Sequence, residues 1–110
     1  MATIEDFQKI DVRVGKILEA ELIPDAKYST HKLKIDFGPE IGIKVSCARL
    51  LGYDPKDLVG RQILGVVNFP PRQIGRNVSE TLTLGVPNED GDSCILVAPD
   101  RVAPIGSKLY

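Results

Sequence analysis

The residues best suited to recognise a ligand lie in one proline-containing segment, residues 68–80. It carries Arg72 and Arg76, and the stretch from Arg61 to Leu84 holds three arginines against one glutamate in a chain whose net charge is −1. A guanidinium group presents a planar fork of N–H donors that suits phosphate groups and peptide carbonyls. This local positive charge therefore indicates a binding site for a phosphate group or a peptide backbone.

Two prolines and two polar side chains complete this segment. Pro70 and Pro71 fix φ and remove two N–H donors, so the sequence predicts an ordered, stiff loop over residues 68–76 and not a central strand. A stiff loop loses less entropy when it binds. We expect the two arginines to contact the ligand, while Asn68 and Ser79 orient either the ligand or the loop.

A structural interpretation of the same segment has about equal weight. In it, Asn68 satisfies buried backbone groups, and Arg72 and Arg76 form ion pairs with the acidic turn at residues 89–92. Loops carry both kinds of residue, and composition alone does not separate the two interpretations.

The remaining candidate groups favour structural roles. His31 is the single histidine and has no cysteine close to it in sequence, so neither a metal site nor a cofactor is expected. Cys47 and Cys94 fit buried, reduced thiols, although Cys47, which follows Ser46 at a strand end, is the one place for a functional thiol. The glycines form no phosphate-binding loop, so the sequence does not predict an enzyme.

Length and composition predict one globular domain over residues 1–110. Hydrophobic residues make up 43% of the chain and charged residues 26%, as in ordinary globular proteins. A net charge of −1 excludes a general basic field for nucleic acid, so such binding would need a local patch. The first residues lack the pattern of a signal peptide, and no apolar run has the length of a membrane span, which together with the two thiols indicates the cytoplasm.

Hydrophobic periodicity predicts mostly strands. A capping box at Thr3 and Asp6 begins a short N-terminal helix. A strand follows to about Leu22, with a bulge or bend at Gly15. Further predicted elements are a hairpin over 32–46 with its turn at 38–40 and Ile41 already in the second strand, a short helix at 54–58, strands at 63–67, 81–86 and 93–98, and an irregular tail over 99–110.

The first five of these six strands, with a helix between the third and the fourth, follow the order of an OB-fold, and the sixth is an extra strand. The fold class predicted is therefore all-β: a five-stranded Greek-key barrel with a short N-terminal helix within 1–10 and a C-terminal extension at 99–110. Apolar residues in the helix and in the extension, among them Leu109, would be covered in a homodimer.

Four stretches of a set that spans nearly the whole chain are Asp11-Val12-Arg13-Val14-Gly15-Lys16-Ile17, Ile35-Asp36-Phe37-Gly38, Val66-Val67-Asn68-Phe69-Pro70-Pro71-Arg72 and Ser79-Glu80. They resemble the stand-alone tRNA-binding-domain family, an OB-fold module also found in some aminoacyl-tRNA synthetases. The run from Val66 to Arg72, together with Leu58-Val59-Gly60-Arg61-Gln62 and Leu84-Gly85-Val86-Pro87, is most similar to the family's CsaA branch of export-related chaperones.

The resemblance implies a cytoplasmic homodimer without catalysis that binds unfolded or precursor polypeptides for secretion, with tRNA binding on the OB face as a second function or as the alternative. Two departures from the family pattern alter the expected binding face: the family often has Ser-Gly-Leu where this chain has Ser46-Cys47-Ala48, and Ser-x-Gly-Met where it has Ser79-Glu80-Thr81-Leu82. The predicted ligand-binding residues, for tRNA or polypeptide, are Asn68, Arg72, Arg76, Ser79, Lys32 and Ser46.

Overall fold

The computed structural model describes residues 1–24 and 28–110. Its main feature is a nearly closed, antiparallel barrel of five strands, which confirms the predicted fold class. The helices are α1 (Ile4–Gln8), α2 (Gly38–Ile41) and α3 (Pro55–Leu58). The strands are β1 (Val12–Leu22), β2 (His31–Asp36), β3 (Ile43–Ala48), β4 (Gln62–Val66), β5 (Arg72–Ile74), β6 (Asn77–Ser79), β7 (Leu82–Thr83), β8 (Gly85–Pro87) and β9 (Cys94–Leu96).

The barrel has the strand order β3-β2-β1-β4-β7, and every pair in it is antiparallel. The other strands form two separate two-stranded hairpins, β5–β6 and β8–β9. At one edge of the sheet, β3 lies against β6 and β7, which nearly closes the barrel. The β5–β6 hairpin is therefore attached beside the line along which the barrel closes.

The Phe37 ring fills the interior of the barrel and is fully buried. Two glycines leave the room for it. A Cβ atom built on Gly15 would lie 2.5 Å from Ile35 Cγ2 and 2.7 Å from Phe37 Cε1, and one built on Gly65 would lie 3.0 Å from Phe37 Cζ. Real Cβ atoms essentially never approach as closely as at Gly15, so β1 needs glycine where it faces the ring, and a side chain at Gly65 would fit only if the ring moved by a few tenths of an ångström.

A second apolar layer covers the outside of β1 and β4. The side chains of Val12, Val14, Leu64 and Val66 are buried there beneath partly buried residues from the C-terminal third of the chain. Strands buried on both faces carry apolar residues without simple alternation. The apolar side chains of β4 therefore have packing partners on both faces of the strand.

Two side chains fasten the C-terminal segment to the barrel. The Gln62 amide donates to the Ala103 carbonyl at 2.7 Å and accepts from the Ala103 N–H at 2.9 Å. Arg13 donates to the carboxylate of Asp11 at 2.6 Å and to the Gly106 carbonyl at 3.0 Å. The hydrogen bond to Asp11 raises the pKa of Arg13, so this guanidinium keeps its charge.

The predicted bulge in β1 is in the wrong place. Gly15 stays in register with Ile63 of β4, and the register with β2 shifts between Ile17 and Glu19. Gly15 is needed instead for close packing inside the barrel. The register shift lies just after Lys16, the last residue of β1 that pairs with β4, where β1 pairs with β2 alone.

Three other element predictions need correction. Part of the predicted loop forms β5, because Arg72–Ile74 pairs with Asn77–Ser79 outside the barrel, where prolines before the strand do no harm. The strand predicted at 81–86 is divided between β7 and β8, which belong to different sheets. Ile41, predicted to lie in a strand, ends α2, which begins at a glycine followed by proline.

The helix predictions are confirmed. Thr3 Oγ1 accepts from the Asp6 N–H at 3.3 Å and Asp6 accepts from the Thr3 N–H at 2.9 Å, which completes the capping box of α1. Asp54 caps α3, and Pro55 occupies its first turn. All three helices have five residues or fewer, and none within residues 1–24 and 28–110 could cross a membrane.

The close packing at Gly15 predicts a large effect of a single methyl group. We expect Gly15→Ala to lower the free energy of unfolding by about 1–3 kcal/mol, because the added carbon overpacks the Phe37 site. Urea denaturation measures the loss, with Lys16→Ala at the next, exposed position as the control. An unfolding midpoint of Gly15→Ala equal to that of the parent would contradict the packing argument.

Candidate ligand-binding site

A groove of about 860 Å³ lies between the C-terminal end of β1 and the tip of the β5–β6 hairpin. One wall is formed by residues 21–24, 28, 29 and 32, and the other wall by residues 73–77. We call this space the hairpin groove. The turn that joins the two strands passes through Gly75, whose φ of +59° is a conformation that glycine adopts without strain.

The hairpin groove combines apolar and charged groups. Leu22 and Tyr28 line it and expose 61% and 78% of their surface, so they add apolar surface to the groove. Lys32 and Arg76 supply two positive charges, and Glu21 supplies one negative charge. Such a surface can bury apolar groups and hold carbonyl, carboxylate or phosphate oxygens at the same time.

The structure brings two of the predicted site residues together in the hairpin groove. Lys32 reaches it from β2, and Arg76 reaches it from the hairpin turn. Arg72, at the start of β5, is exposed but does not line the groove. Arg72 and Arg76 therefore have different environments, although the sequence analysis predicts the same role for both.

Asn68 holds the chain near α1. Its Oδ1 accepts from the Asp11 N–H at 2.9 Å, and its Nδ2 donates to the Lys9 carbonyl at 2.8 Å. These contacts agree only in part with the structural interpretation of Asn68, since they satisfy backbone groups that are exposed and not buried. They also fix the point from which the hairpin segment leaves the barrel.

Ser46 and Ser79 lie where the barrel closes, and both are buried. Ser79 Oγ accepts from the Cys47 N–H at 3.0 Å and donates to the Thr81 carbonyl at 3.1 Å. Ser46 Oγ lies 3.3 Å from the same carbonyl and 2.7 Å from Thr83 Oγ1. We call this contact between β3 and residues 79–83 the barrel seam. Both serines thus orient the wall that carries the hairpin.

Sequence reasoning missed the role of Glu80 in the barrel seam. Its Oε1 accepts from the Val45 N–H at 2.9 Å, and its own N–H donates to the Val45 carbonyl at 2.8 Å. Next to it, Thr81 Oγ1 is buried and has no hydrogen-bond partner within residues 1–24 and 28–110. The departure from the family pattern at Ser79-Glu80-Thr81-Leu82 was the one sign that this stretch is special.

The acidic turn at 89–92 does not hold the two arginines. Within residues 1–24 and 28–110, neither Arg72 nor Arg76 forms an ion pair with it, whereas Asp92 lies 3.6 Å from Arg49. Asp90 accepts from the Ser93 and Asp92 N–H groups, and these bonds lower its pKa. This half of the structural interpretation is therefore absent from the structure.

His31 and Cys47 are buried in the fold, and Cys94 is half-buried. His31 Nε2 lies 3.0 Å from the Tyr53 carbonyl oxygen, and Nδ1 lies 2.6 Å from Thr30 Oγ1. Burial raises the pKa of Cys47, an effect that the nearby Lys32 charge partly offsets, and burial also raises the pKa of Cys94. No group of three potential metal ligands occurs in the part of the chain that the structure describes.

A family model described as "Putative tRNA binding domain" matches residues 12–108, nearly the whole chain. The chain belongs to the tRNA-binding domain family. Among curated proteins it is similar to the methionine–tRNA ligase of Bacteroides fragilis, with 38% identity over 105 residues that cover 96% of this chain and 15% of the ligase. The chain thus spans only about 15% of the length of the curated relatives it matches.

Two solved structures match the chain along its entire length. The chaperone CsaA from Bacillus anthracis is 41% identical with a TM-score of 0.91, covering 100% of this chain and 99% of its own. The CsaA chaperone protein from Picrophilus torridus is 43% identical with a TM-score of 0.92, covering 100% of both chains. The barrel and the short helices are therefore those of CsaA.

The contacts of Asn68 predict a loss of stability when they are removed. We expect Asn68→Ala to lower the free energy of unfolding by about 1–2 kcal/mol, because two backbone groups near α1 lose a hydrogen bond. Thermal unfolding measures this, with Gln8→Ala, an exposed amide in α1, as the control. If Asn68→Ala melted like the parent, the amide would have no structural role.

Proposed function

We propose that this protein is a non-catalytic, chaperone-like protein that binds extended segments of unfolded or precursor polypeptides for secretion. The observation that carries the proposal is the hairpin groove, in which the exposed Leu22 and Tyr28 lie beside Lys32 and Arg76. An unfolded polypeptide presents apolar side chains and unpaired carbonyl groups together, and this groove offers partners to both.

The energetics of such binding come from two sources. Burial of apolar side chains against Leu22 and Tyr28 gives about 25 cal/mol for each Å² of apolar surface removed from water. Lys32 and Arg76 donate hydrogen bonds to carbonyl or carboxylate oxygens, which fixes the direction of the segment without selecting one sequence. The near-neutral charge of the chain also suits a ligand that is not a polyanion.

The likeness to CsaA supports this function over the full length of the chain. The two matched structures are of proteins described as chaperones, and they are covered from end to end at 41% and 43% identity. The cytoplasm is the compartment in which precursor polypeptides await secretion, and we place the protein there.

Binding of tRNA is the second candidate function. It is favoured by the family model and by the likeness to methionine–tRNA ligases. Lys32 and Arg76 would then bind phosphate groups, and the exposed Tyr28 ring would stack on a base. The two ligands would use one surface, so they would compete.

A homodimer completes the proposal. Four apolar side chains at one corner of the molecule are only partly covered: Phe7 (38% exposed), Ile10 (39%), Phe69 (43%) and Leu109 (39%). Asn68 binds the backbone beside α1, and the Leu109 N–H donates to the Val12 carbonyl, so the four residues lie in one region. A two-fold axis through this corner would cover the patch on both copies.

The groove predicts different effects of removing the two arginines. Arg76→Ala should weaken binding of a labelled, permanently unfolded polypeptide about tenfold, which corresponds to one lost charge-assisted hydrogen bond. Arg72→Ala removes the same charge from the same hairpin outside the groove, so we expect it to bind like the parent. Fluorescence anisotropy titration measures both, and equal losses in the two variants would contradict a site in the groove.

Salt dependence separates the two ligands in the same titration. Affinity for tRNA should fall steeply as salt rises, and Arg76→Ala should flatten that slope because one phosphate contact is lost. Affinity for the unfolded polypeptide should change little with salt. A parent protein that binds tRNA but no unfolded polypeptide would reject the chaperone function and support the second candidate.

The apolar corner predicts the state of association. Light scattering at micromolar concentration should give a mass of about twice the 12.0 kDa of one chain. Phe7→Asp should shift the mass toward that of one chain, because a buried charge in the interface has no partner. Glu5→Gln, which helix geometry directs away from Phe7, serves as the control. A parent mass of one chain would reject the dimer.

A further inference from the structure

The barrel seam closes mostly through side chains, with one main-chain hydrogen bond, from the Glu80 N–H to the Val45 carbonyl at 2.8 Å, in place of a strand ladder. β3 is the last strand of the sheet order, and its Val45 and Cys47 N–H groups point away from β2 toward residues 79–80. Glu80 Oε1 accepts from the first at 2.9 Å, and Ser79 Oγ accepts from the second at 3.0 Å. These are alternate residues on one strand edge, which is the pattern that a neighbouring strand would satisfy with its carbonyl groups.

The closed barrel seam also contains an unsatisfied group. Thr81 is 6% exposed, and its Oγ1 has no hydrogen-bond partner among the described residues, whereas the neighbouring Ser79 Oγ and Glu80 Oε1 both form hydrogen bonds. A buried hydroxyl without a partner destabilises the arrangement that buries it. The closed seam therefore carries a cost that opening would relieve.

The seam and the hairpin groove are parts of one region. The β5–β6 hairpin has its base at the seam, where Arg72 pairs with Ser79, and its tip in the groove. Lys32, which lines the groove, pairs in register with Cys47 of β3. The groove is thus about one strand spacing, roughly 5 Å, from the edge that the two side chains cover.

We infer that Ser79 and Glu80 form a latch over an edge that receives the polypeptide. When the latch releases, the hydrogen bond from the Glu80 N–H to the Val45 carbonyl also breaks. Main-chain carbonyl groups of an extended polypeptide then replace the two side-chain oxygens at Val45 and Cys47, one of its N–H groups replaces that of Glu80, and the polypeptide adds a strand to β3. This inference rests on the proposed function and gives it a binding mode. It also explains how polypeptides of different sequence bind at one site, because each polypeptide is recognised through its main chain.

The latch has a second physical consequence. An uncovered strand edge pairs with other edges, and proteins protect such edges with charged side chains. Glu80 supplies that protection while the site is empty. Affinity is then limited by the fraction of molecules whose seam is open, so a weaker latch gives tighter apparent binding.

Two measurements test the latch. Amide hydrogen exchange by NMR follows Val45 and Cys47 in the parent with and without a saturating unfolded polypeptide, and we expect both amides to be protected further when it is bound. Glu80→Ala should speed exchange at Val45 and tighten polypeptide binding, each by about tenfold. Glu80→Gln keeps an acceptor oxygen without the charge and should lie between the parent and Glu80→Ala.

The outcomes separate this inference from the proposed function. If the parent binds the polypeptide while exchange at Val45 and Cys47 stays unchanged, the function stands and the strand-addition mode is overturned. Unchanged or weaker binding by Glu80→Ala overturns the latch in the same way, and the parent exchange data decide the question if that variant fails to fold. If neither the parent nor Glu80→Ala binds the polypeptide, the proposed function itself is rejected.

Discussion

Packing of the Phe37 ring against glycine backbone is the contact on which the rest of the barrel depends. The ring takes the space that side chains on Gly15 and Gly65 would need, and so it fixes how closely β1 and β4 approach it. The same residue meets the C-terminal segment, since a Cβ atom on Gly106 would lie 2.7 Å from the Phe37 carbonyl oxygen. The Phe37 side chain thus sets the spacing of β1 and β4, and the Phe37 backbone locates the C-terminal segment that covers these two strands.

Two kinds of force hold different parts of this molecule. Apolar burial around Phe37 is non-directional and is lost only when the barrel comes apart. The contacts of Ser46, Ser79 and Glu80 are hydrogen bonds, whose net worth is small because another partner, water or polypeptide, can replace them. Because the barrel interior is apolar and the barrel seam is polar, the seam can open while the core stays packed. The groups that we propose to bind the ligand lie beside the polar part.

Local patterns in the sequence predicted the elements that depend on residues close together in sequence. The alternation through Leu33, Ile35 and Phe37 gave an inward-facing strand, and the Thr3 capping box gave a helix. The sequence did not predict the β5–β6 hairpin or the burial of Ser79 in the seam, because the residues that Ser79 contacts are distant in sequence. Ser79 Oγ binds the N–H of Cys47, which lies 32 positions earlier. Lys32 and Arg76 were chosen from charge and residue type, but only the fold brings them to one groove while leaving Arg72 outside.

The hydrogen bond from the Leu109 N–H to the Val12 carbonyl brings the two ends of the barrel sequence side by side. The hairpin groove is at the other end of β1, an eleven-residue strand that spans about 30 Å. Polypeptide joined before or after this module would therefore leave from one corner and would not obstruct the groove. This geometry suits a module that can be carried by larger proteins, and it offers both termini for tethers or reporter fusions.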